Sequence, residues 1–219
     1  LGDVYKRQGH GYWFSIINLT DDTNQTKSLK ECYKDGDKRK NLITYVKVED
    51  KVCVMNKFKD VKSATYNTVG NDQIILRYAD VLLMYAEVEN ELGHDDEAKW
   101  ALNKVRDRVY LAPSTATGTE LRNAIRKERR LELALENNRL YDLRRWKDDN
   151  GKSAICNVMG PNGTFVAYNK IGYDSDESSN QKENSNKGVN FKEGRDELFP
   201  LPPTEITLSG GSIEQNPGY

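Results

Sequence analysis

The sequence predicts a mainly α-helical fold made of tetratricopeptide-like helix pairs and long loops. Apolar residues recur at helical spacing from Gln73 to Val109, and a tight corner at Gly93 divides this stretch in two. The stretch 151–197 is instead rich in Asn, Ser, Lys and Gly. At 219 residues the chain suits one domain with a sizeable core, since about 70% of the unfolded surface can be buried at this length.

The composition excludes several classes of function. The 33 Lys and Arg residues nearly balance the 34 Asp and Glu residues, so no global charge points to nucleic acid as a partner. No apolar run approaches the roughly 18 residues of a membrane-spanning helix. Cys32, Cys53 and Cys156 are odd in number and far apart, which predicts free cysteines and no zinc site. With only 2 histidines, we expect no metal site and no cofactor.

The first 72 residues fall into two parts. The opening 1–8, LGDVYKRQ, resembles a translated linker, so we exclude it from the fold and expect the natural protein to extend further toward its N-terminus. Segment 9–72 alternates short β-leaning stretches such as NLITYVKV with polar turns such as KDGDKRK. This pattern predicts a loop-rich segment with short strands and one hairpin.

Region 73–150 predicts a tetratricopeptide-like helical core. A first helix covers about 73–92 and stops at Gly93, and a second begins at Asp95, so the short turn makes the pair antiparallel. Gly93 at the corner and Ala98 at the close approach of the two helices are typical of a tetratricopeptide repeat. One repeat cannot bury its own faces, so a third helix and further sequence must cover it.

The third helix is predicted from Thr117, where TGTE fits a capping box with Glu120, to about Asn137. RLYDLRRW then predicts a further turn or short helix. Beyond it, 151–197 predicts a long polar loop, and the proline-rich stretch 198–219 predicts a tail that docks onto the helices. Four apolar residues are available for this docking: Leu198, Phe199, Leu201 and Ile206.

Three glutamates lie four residues apart on the third helix: Glu128, Glu132 and Glu136. A catalytic carboxyl pair needs one member kept protonated by an apolar pocket. Neighbouring arginines oppose this, since we expect Arg129 to pair with Glu132, and Arg139 to pair with Glu136 and Asp142. The sequence also lacks the Glu-x-x-His motif of di-metal bundles. We therefore favour a structural lattice of Arg–carboxylate contacts, with no catalytic residue.

Four blocks in this order resemble the C-terminal region of the SusD/RagB family of outer-membrane nutrient-binding lipoproteins. They are ILRYADVLLMYAEVENELG, ALNKVRDR, ERRLELALENNRLYDLRRW, and LFPLPPTEI with the terminal EQNPGY. The upstream GDKRK and NKFKD are also similar, so the match runs from about residue 31 to the end. Leu135 and Asn137 depart from the aromatic and glycine usual in the family, and the asparagine expected near Ser209 is absent.

The resemblance implies the C-terminal part of a SusD-like α-helical fold, in a protein anchored to the outer surface of the outer membrane by a lipidated N-terminal cysteine. That cysteine would precede this chain, so none of its three cysteines takes the role. Such proteins cap a SusC-like TonB-dependent transporter and capture oligosaccharides, or peptides in some members, without catalysis. The family blocks also assign structural roles to ten residues: Arg77, Glu87, Glu128, Arg129, Glu132, Glu136, Arg139, Asp142, Arg145 and Trp146.

Sugar capture favours exposed aromatic rings in loops, because the apolar faces of a pyranose stack on them. Two places fit. Tyr12 and Trp13 are consecutive with Phe14, and Tyr168 and Tyr173 lie in the long polar loop. Ordinary core packing for the first group and a disordered loop for the second remain open. Trp100 and Trp146 belong to helical blocks and are predicted to be core or docking residues.

Two other functions remain open at this point. A helical-repeat module could bind a peptide or a protein in its groove. A helical glycoside hydrolase could use Glu132 or Glu136.

Overall fold

The computed structural model describes residues 18–20, 26–28, 32–42, 57, 74–160, 168–170, 181–183 and 191–219. The fold is mainly α. Six helices follow one another in these ranges: α1 Tyr78–Glu91, α2 Asp95–Arg108, α3 Gly118–Glu132, α4 Arg139–Arg145, α5 Ala154–Met159 and α6 Pro203–Leu208. A 3₁₀ helix at Lys38–Leu42 precedes them. Two antiparallel hairpins join β1 Asn18–Thr20 to β2 Thr26–Ser28 and β3 Tyr168–Lys170 to β4 Gln181–Glu183.

The main core lies between α1, α2 and α3. Leu83 of α1, Leu102 of α2, and Leu121 and Ile125 of α3 are buried together. Ala98 is fully buried, which lets α2 approach α1 closely, as the sequence predicts. Burial of each of the large side chains contributes about 1.5–3 kcal/mol, so this cluster holds the three helices together.

Gly93 makes the corner between α1 and α2. Its φ of +81° is a left-handed conformation that glycine adopts without steric strain. The amide of Gly93 donates to the carbonyl of Asn90 at 3.1 Å, and the amide of His94 donates to the carbonyl of Glu89 at 2.8 Å. These bonds end α1 and turn the chain directly into α2.

Two helix ends differ from the sequence prediction. Helix α1 begins at Tyr78, not at residue 73, and the side chain of Ile75 is 89% exposed. The backbone of Arg77 is extended at the start of α1, and its side chain forms long-range ion pairs. Helix α3 ends at Glu132, five residues earlier than predicted, because Leu135 and Asn137 adopt positive φ angles of 71° and 64°.

The predicted capping box at the start of α3 is wrong. Thr117 does occupy the N-cap position, but its side chain makes no capping hydrogen bond. Instead, Oδ2 of Asp95, from the start of α2, accepts a hydrogen bond of 2.7 Å from the amide of Gly118. Oδ1 of Asp95 accepts from Nδ2 of Asn90 at 3.0 Å. One carboxylate therefore ties the first turn of α3 to the corner between α1 and α2.

Helix α4 confirms the short helix predicted in RLYDLRRW. Helix α5 was not predicted, because six residues are too few to show a helical period. It packs through Ile155 and Cys156 against Leu143 of α4. Ser153, just before α5, donates a hydrogen bond of 2.9 Å to the carbonyl of Arg144.

The C-terminal tail folds back on itself through polar contacts, and of the four apolar residues expected to dock it, Leu201 and Ile206 are partly buried. Leu198 and Phe199 remain half exposed, and the guanidinium carbon of Arg144 lies 3.6 Å from the centre of the Phe199 ring. Nδ2 of Asn216 donates to the carbonyl of Phe199 at 2.6 Å. The amide of Leu201 donates to Oε1 of Gln215 at 2.8 Å, which folds the tail back on itself.

We expect Asp95→Ala to lower the free energy of unfolding by about 1 kcal/mol, because it removes the cap of α3. Thr117→Ala is the matched control, and it should change stability by less than about 0.5 kcal/mol. Urea denaturation of both variants measures the difference. A larger loss for Thr117→Ala than for Asp95→Ala would contradict the assignment of the cap.

Candidate functional site

The acidic stripe of α3 points into the molecule. Glu128 and Glu132 are each only 2% exposed. Arg39, from the 3₁₀ helix, meets both of them: its Nη1 lies 2.7 Å from Oε1 of Glu128 and 2.9 Å from Oε2 of Glu132. The other edge of the guanidinium is held by Asp37, with Nη2 at 2.7 Å from Oδ2. A buried cation thus joins the two carboxylates that would otherwise repel each other.

Glu136 is bound by two cations from distant parts of the chain. Arg77 donates through Nε to Oε2 of Glu136 at 2.9 Å, and its Nη1 lies 2.5 Å from Oε1 of Glu132. Nζ of Lys57 lies 2.5 Å from Oε1 of Glu136 and donates to the carbonyls of Glu132 and Ala134 at 2.8 and 2.7 Å. These contacts fix the chain where α3 ends.

Helix α2 supplies two further arginines to the stripe. Nη1 of Arg106 lies 3.1 Å from Oε2 of Glu128, and Arg108 pairs with Oε1 of Glu132. Glu132 therefore contacts cations from the 3₁₀ helix, from the start of α1 and from α2.

Arg129 is the centre of a second group of buried charges. Its Nη1 pairs with Asp80 of α1, and its Nε donates to both carboxylate oxygens of Asp142 of α4 at 2.9 and 3.0 Å. Arg145 bonds the same Asp142 at 2.9 Å and reaches Glu87 of α1 at 2.5 Å. The three helices are locked together by one buried guanidinium and its carboxylates.

Glu87 also anchors the residue that follows α4. Nε1 of Trp146 donates to Oε1 of Glu87 at 2.9 Å, and the ring is 5% exposed. Trp146 is therefore buried at the docking point of α4 against α1, as expected from its helical block.

The ion pairs predicted between neighbouring turns are replaced by these long-range pairs. Arg129 binds Asp80 and Asp142, not Glu132, and Glu136 binds Lys57 and Arg77 instead of Arg139. Arg139 lies against the ring of Trp146, with its guanidinium carbon 5.5 Å from the ring centre. The acidic stripe is buried, so its partners come from the elements that cover it.

Glu132 and Glu136 both favour the ionised form. Burial alone would raise the pKa of Glu132, but the hydrogen bond and charge of Arg77, with Arg108 and Arg39, outweigh it and hold that pKa below its ordinary value. The pKa of Glu136 is likewise lowered, since Arg77 and Lys57 outweigh the effect of burial. A general acid needs the opposite shift, so this pair is poorly suited to acid catalysis.

Within the described ranges, no group of three or more His, Cys, Asp and Glu side chains is arranged to hold a metal ion. The acidic side chains of α3 face arginines and a lysine, which already occupy the oxygens that a cation would need.

Of the four aromatic residues predicted to bind ligand, Tyr168 is in β3, where its backbone is opposite Glu183. Tyr12, Trp13 and Tyr173 lie outside the described residues. Trp100 differs from the core role expected of it, because its side chain is 53% exposed. It meets the ring of Tyr85 edge-on, with 6.3 Å between the ring centres.

Six charged residues of the two groups of buried charges were missed by sequence reasoning: Asp37, Arg39, Lys57, Asp80, Arg106 and Arg108. Apart from Asp37, each has a partner 22 to 93 residues away along the chain. Asp37 takes part through its contact with Arg39. A signal for all of them was present, because each lies in a stretch that resembles the family. Asp37 and Arg39 lie in GDKRK, Lys57 lies in NKFKD, Asp80 lies in ILRYADVLLMYAEVENELG, and Arg106 and Arg108 lie in ALNKVRDR.

Comparisons with known proteins agree on one family. The model of the SusD family matches residues 16–219. SusD-like protein P2 of Formosa agariphila is 33% identical over 160 residues, which are 68% of this chain and 26% of that protein. The chain therefore spans about a quarter of the length of this curated relative.

Solved structures show the same fold. A SusD-like protein from Bacteroides fragilis NCTC 9343 has a TM-score of 0.53 at 25% identity, over 98% of this chain and 38% of that one. A SusD homologue from Bacteroides thetaiotaomicron VPI-5482 has a TM-score of 0.58 at 22% identity, over 100% of this chain and 55% of that one. None of the helices in the described ranges is both long and apolar enough to cross a membrane.

We expect Arg129→Gln to lower the free energy of unfolding by about 3–5 kcal/mol, because it leaves the buried Asp80 and Asp142 without this cation. Arg122→Gln is the matched control on the same helix. Its partner Asp149 has a side chain that is 75% exposed, so its loss should change stability by less than about 1 kcal/mol. Guanidinium denaturation measures both, and equal losses would contradict the structural role of Arg129.

Acid should lower the free energy of unfolding, because protonation of Glu132 and Glu136 breaks their ion pairs. Their pKa values lie below the ordinary 4.5 in the folded chain, so their ion pairs contribute fully above about pH 4.5 and are lost as the pH falls through the lower folded values. The free energy of unfolding should therefore decrease from neutral pH to about pH 3. Glu132→Gln should be less stable at neutral pH and show a shallower decrease, and parallel curves for the two proteins would contradict this.

Proposed function

The chain belongs to the SusD family, and we propose that it forms part of a cell-surface glycan-binding protein that captures oligosaccharides for a SusC-like TonB-dependent transporter. The observation that carries this proposal is the match of the family model to residues 16–219. The family resemblance also supports attachment to the outer membrane through a lipid anchor that would precede this chain. The ligand class and the transporter partner are part of the proposal.

The proposed role is binding without catalysis. The carboxylates that a glycosidase would use are buried in the network of α3, and their oxygens bind arginines and a lysine from four other places in the chain. The lowered pKa values of Glu132 and Glu136 support a structural role, because neither would be held protonated as a general acid. We therefore propose that the motif residues of the ionic network maintain the helical frame and that glycan contacts come from other residues.

The proposed ligand contacts are the loop aromatics. Tyr12, Trp13, Tyr168 and Tyr173 are the candidates that sequence composition offers, because rings in polar loops can stack on sugar faces. The buried carboxylates of the helical frame already bind arginines and a lysine, which supports a ligand site outside the frame.

A peptide- or protein-binding role is the second candidate, and the surface of α1 favours it. Four apolar side chains follow one another at helical spacing on its outer face and are at least 40% exposed: Tyr78, Val81, Tyr85 and Val88. Trp100 of α2 extends this surface, since it contacts Tyr85. An apolar stripe of this kind is typical of helices that bind another polypeptide.

A glycan panel tests the proposed function. Plant, host and microbial glycans are tested by affinity electrophoresis and calorimetry, with product analysis in the same samples. We expect binding without cleavage. Trp13→Ala or Tyr168→Ala should lower the affinity for the glycan about tenfold, which corresponds to about 1.4 kcal/mol of binding free energy. Tyr141→Ala is the control, because this ring is exposed on α4 and belongs to no proposed site.

The alternatives give different results in the same experiment. Cleavage that is lost in Glu132→Gln would overturn the non-catalytic role. Binding of members of a peptide library, without binding of any glycan, would agree with the family assignment but show that the ligand is a peptide. Val88→Asp on the α1 surface should then lower the affinity for the peptide.

A further inference from the structure

Two arginines near the end of α3 differ from all the arginines of the ionic network. Arg130 lies in the last turn of α3, and Arg139 is the first residue of α4. Both side chains are partly buried, and neither forms an ion pair with any described residue. Nε of Arg130 is buried and has no hydrogen-bond partner in the described part of the chain.

The carboxylate nearest in sequence to Arg139 is already in use. Asp142 accepts hydrogen bonds from Nε of Arg129 at 2.9 Å and from Nη2 of Arg145 at 2.9 Å. Arg139 shares the ring of Trp146 with two further cations. The guanidinium carbons of Arg126, Arg139 and Arg145 lie 5.2, 5.5 and 5.3 Å from the ring centre of Trp146. Arg145 is paired with Glu87 and Asp142, whereas Arg139 forms no ion pair with a described residue.

The pKa values of Arg130 and Arg139 are shifted downward, whereas the pKa of Arg77 in the ionic network is shifted upward. Burial lowers the pKa of Arg130 to about 10, and burial together with the charge of Arg130 lowers the pKa of Arg139 to about 9. For Arg77, the carboxylates of Glu136 and Glu132 outweigh burial and raise the pKa. Both Arg130 and Arg139 remain charged at neutral pH, so each is a partly buried cation whose desolvation is not compensated.

The backbone between them is strained as well. Leu135 and Asn137 have φ angles of 71° and 64°, in the left-handed region that non-glycine residues seldom adopt. This turn reverses the chain and brings the start of α4 back beside the last turn of α3. Strain at two residues and repulsion between two cations both oppose this arrangement, and strained backbone of this kind is concentrated at functional sites.

We propose that Arg130 and Arg139 form a receptor site for a carboxylate that an acidic polypeptide segment supplies. Arg126 lies one helical turn before Arg130 on α3 and meets the same Trp146 ring as Arg139, so the two unpaired arginines belong to one region of the surface of α3 and α4. A carboxylate bound between them would accept charge-assisted hydrogen bonds, which are about twice as strong as neutral ones. The bound anion would neutralise the two unpaired guanidinium groups. This proposal uses none of the residues proposed to bind glycan and does not depend on them.

The surroundings favour a protein side chain over an acidic sugar. Leu131, which follows Arg130 in the chain, belongs to an apolar cluster with Tyr33, against which Cys32, Ala134 and Leu135 pack, and this cluster forms the apolar wall of the proposed site. The ring of Trp146 is buried, so it offers no face on which a pyranose could stack. Sugar hydroxyls would be left without partners against such a wall, whereas an Asp or Glu flanked by apolar residues would fill it.

Thermal stability of the 219-residue chain gives the first test. Arg130→Met and Arg139→Met each remove an uncompensated charge, so each should raise the melting temperature, by about 2–4 °C. Arg129→Met is the matched control next in sequence, and it should lower the melting temperature because it breaks a compensated pair. A decrease for both Arg130→Met and Arg139→Met would show that the two charges are already satisfied and would overturn the proposal.

Binding of small probes gives the second test. The peptide acetyl-Leu-Asp-Leu-amide is titrated by calorimetry and by NMR of the arginine Nε–H signals, with acetyl-Leu-Asn-Leu-amide and glucuronate as comparisons. We expect the aspartyl peptide to shift the signals of Arg130 and Arg139 and to bind at least about tenfold more weakly to Arg130→Met. Arg122→Gln should leave its affinity unchanged.

The other outcomes would overturn the proposal. Equal binding of the asparaginyl peptide would show that no carboxylate is recognised. Binding of glucuronate but not of the aspartyl peptide would assign the two arginines to an acidic sugar. Loss of peptide binding in Arg122→Gln and Arg130→Met alike would show a general effect of surface charge. A failed glycan screen would not alter any of these results, so the two proposals are tested separately.

Discussion

The structure depends on the requirement that buried charges be neutralised. Arg129 is almost fully buried between Asp80 of α1 and Asp142 of α4. An unpaired guanidinium at that depth would be strongly destabilising, so α1, α3 and α4 are restricted to the arrangement that brings both carboxylates to it. Apolar packing between the helices tolerates small shifts and rotations. A bidentate contact between charged groups tolerates far less, and it therefore sets the relative position of the three helices.

The sequence was sufficient for the elements that local rules determine. Apolar spacing located α2 to within a residue, Gly93 marked the corner, and RLYDLRRW marked α4. The local rules failed where contacts between residues distant in the sequence determine where a helix begins or how it is capped. Arg77 is extended because its partners are Glu132 and Glu136, more than 50 residues away, so no local pattern predicts that α1 begins after it. Asp95 caps α3 for the same reason, since it becomes a neighbour of Gly118 only after the chain folds.

For the candidate site, the structural role of the charged residues was easier to predict than the partners with which they form ion pairs. The arginines among the glutamates of α3 indicated a lattice of ion pairs, but assigned pairs between adjacent turns. The structure instead connects the stripe to the 3₁₀ helix, to α2 and to the start of α1. Two kinds of arginine result. Each arginine of the network pairs with at least one carboxylate, whereas Arg130 and Arg139 pair with none in the described part of the chain. In a family of binding proteins, this division separates a frame that must be rigid from surfaces that receive other molecules.

A double-mutant cycle between Arg129 and Asp80 tests most directly whether the buried charge network determines the fold. The free energy of unfolding is measured by denaturant titration for the parent, Arg129→Met, Asp80→Leu and the double variant. A coupling energy of about 2 kcal/mol or more is predicted, because Arg129→Met leaves the buried Asp80 without its cation, whereas the double variant removes both charges and Asp142 keeps Arg145 as its partner. A coupling below about 0.5 kcal/mol would contradict the account, since the helices would then be positioned by apolar packing alone.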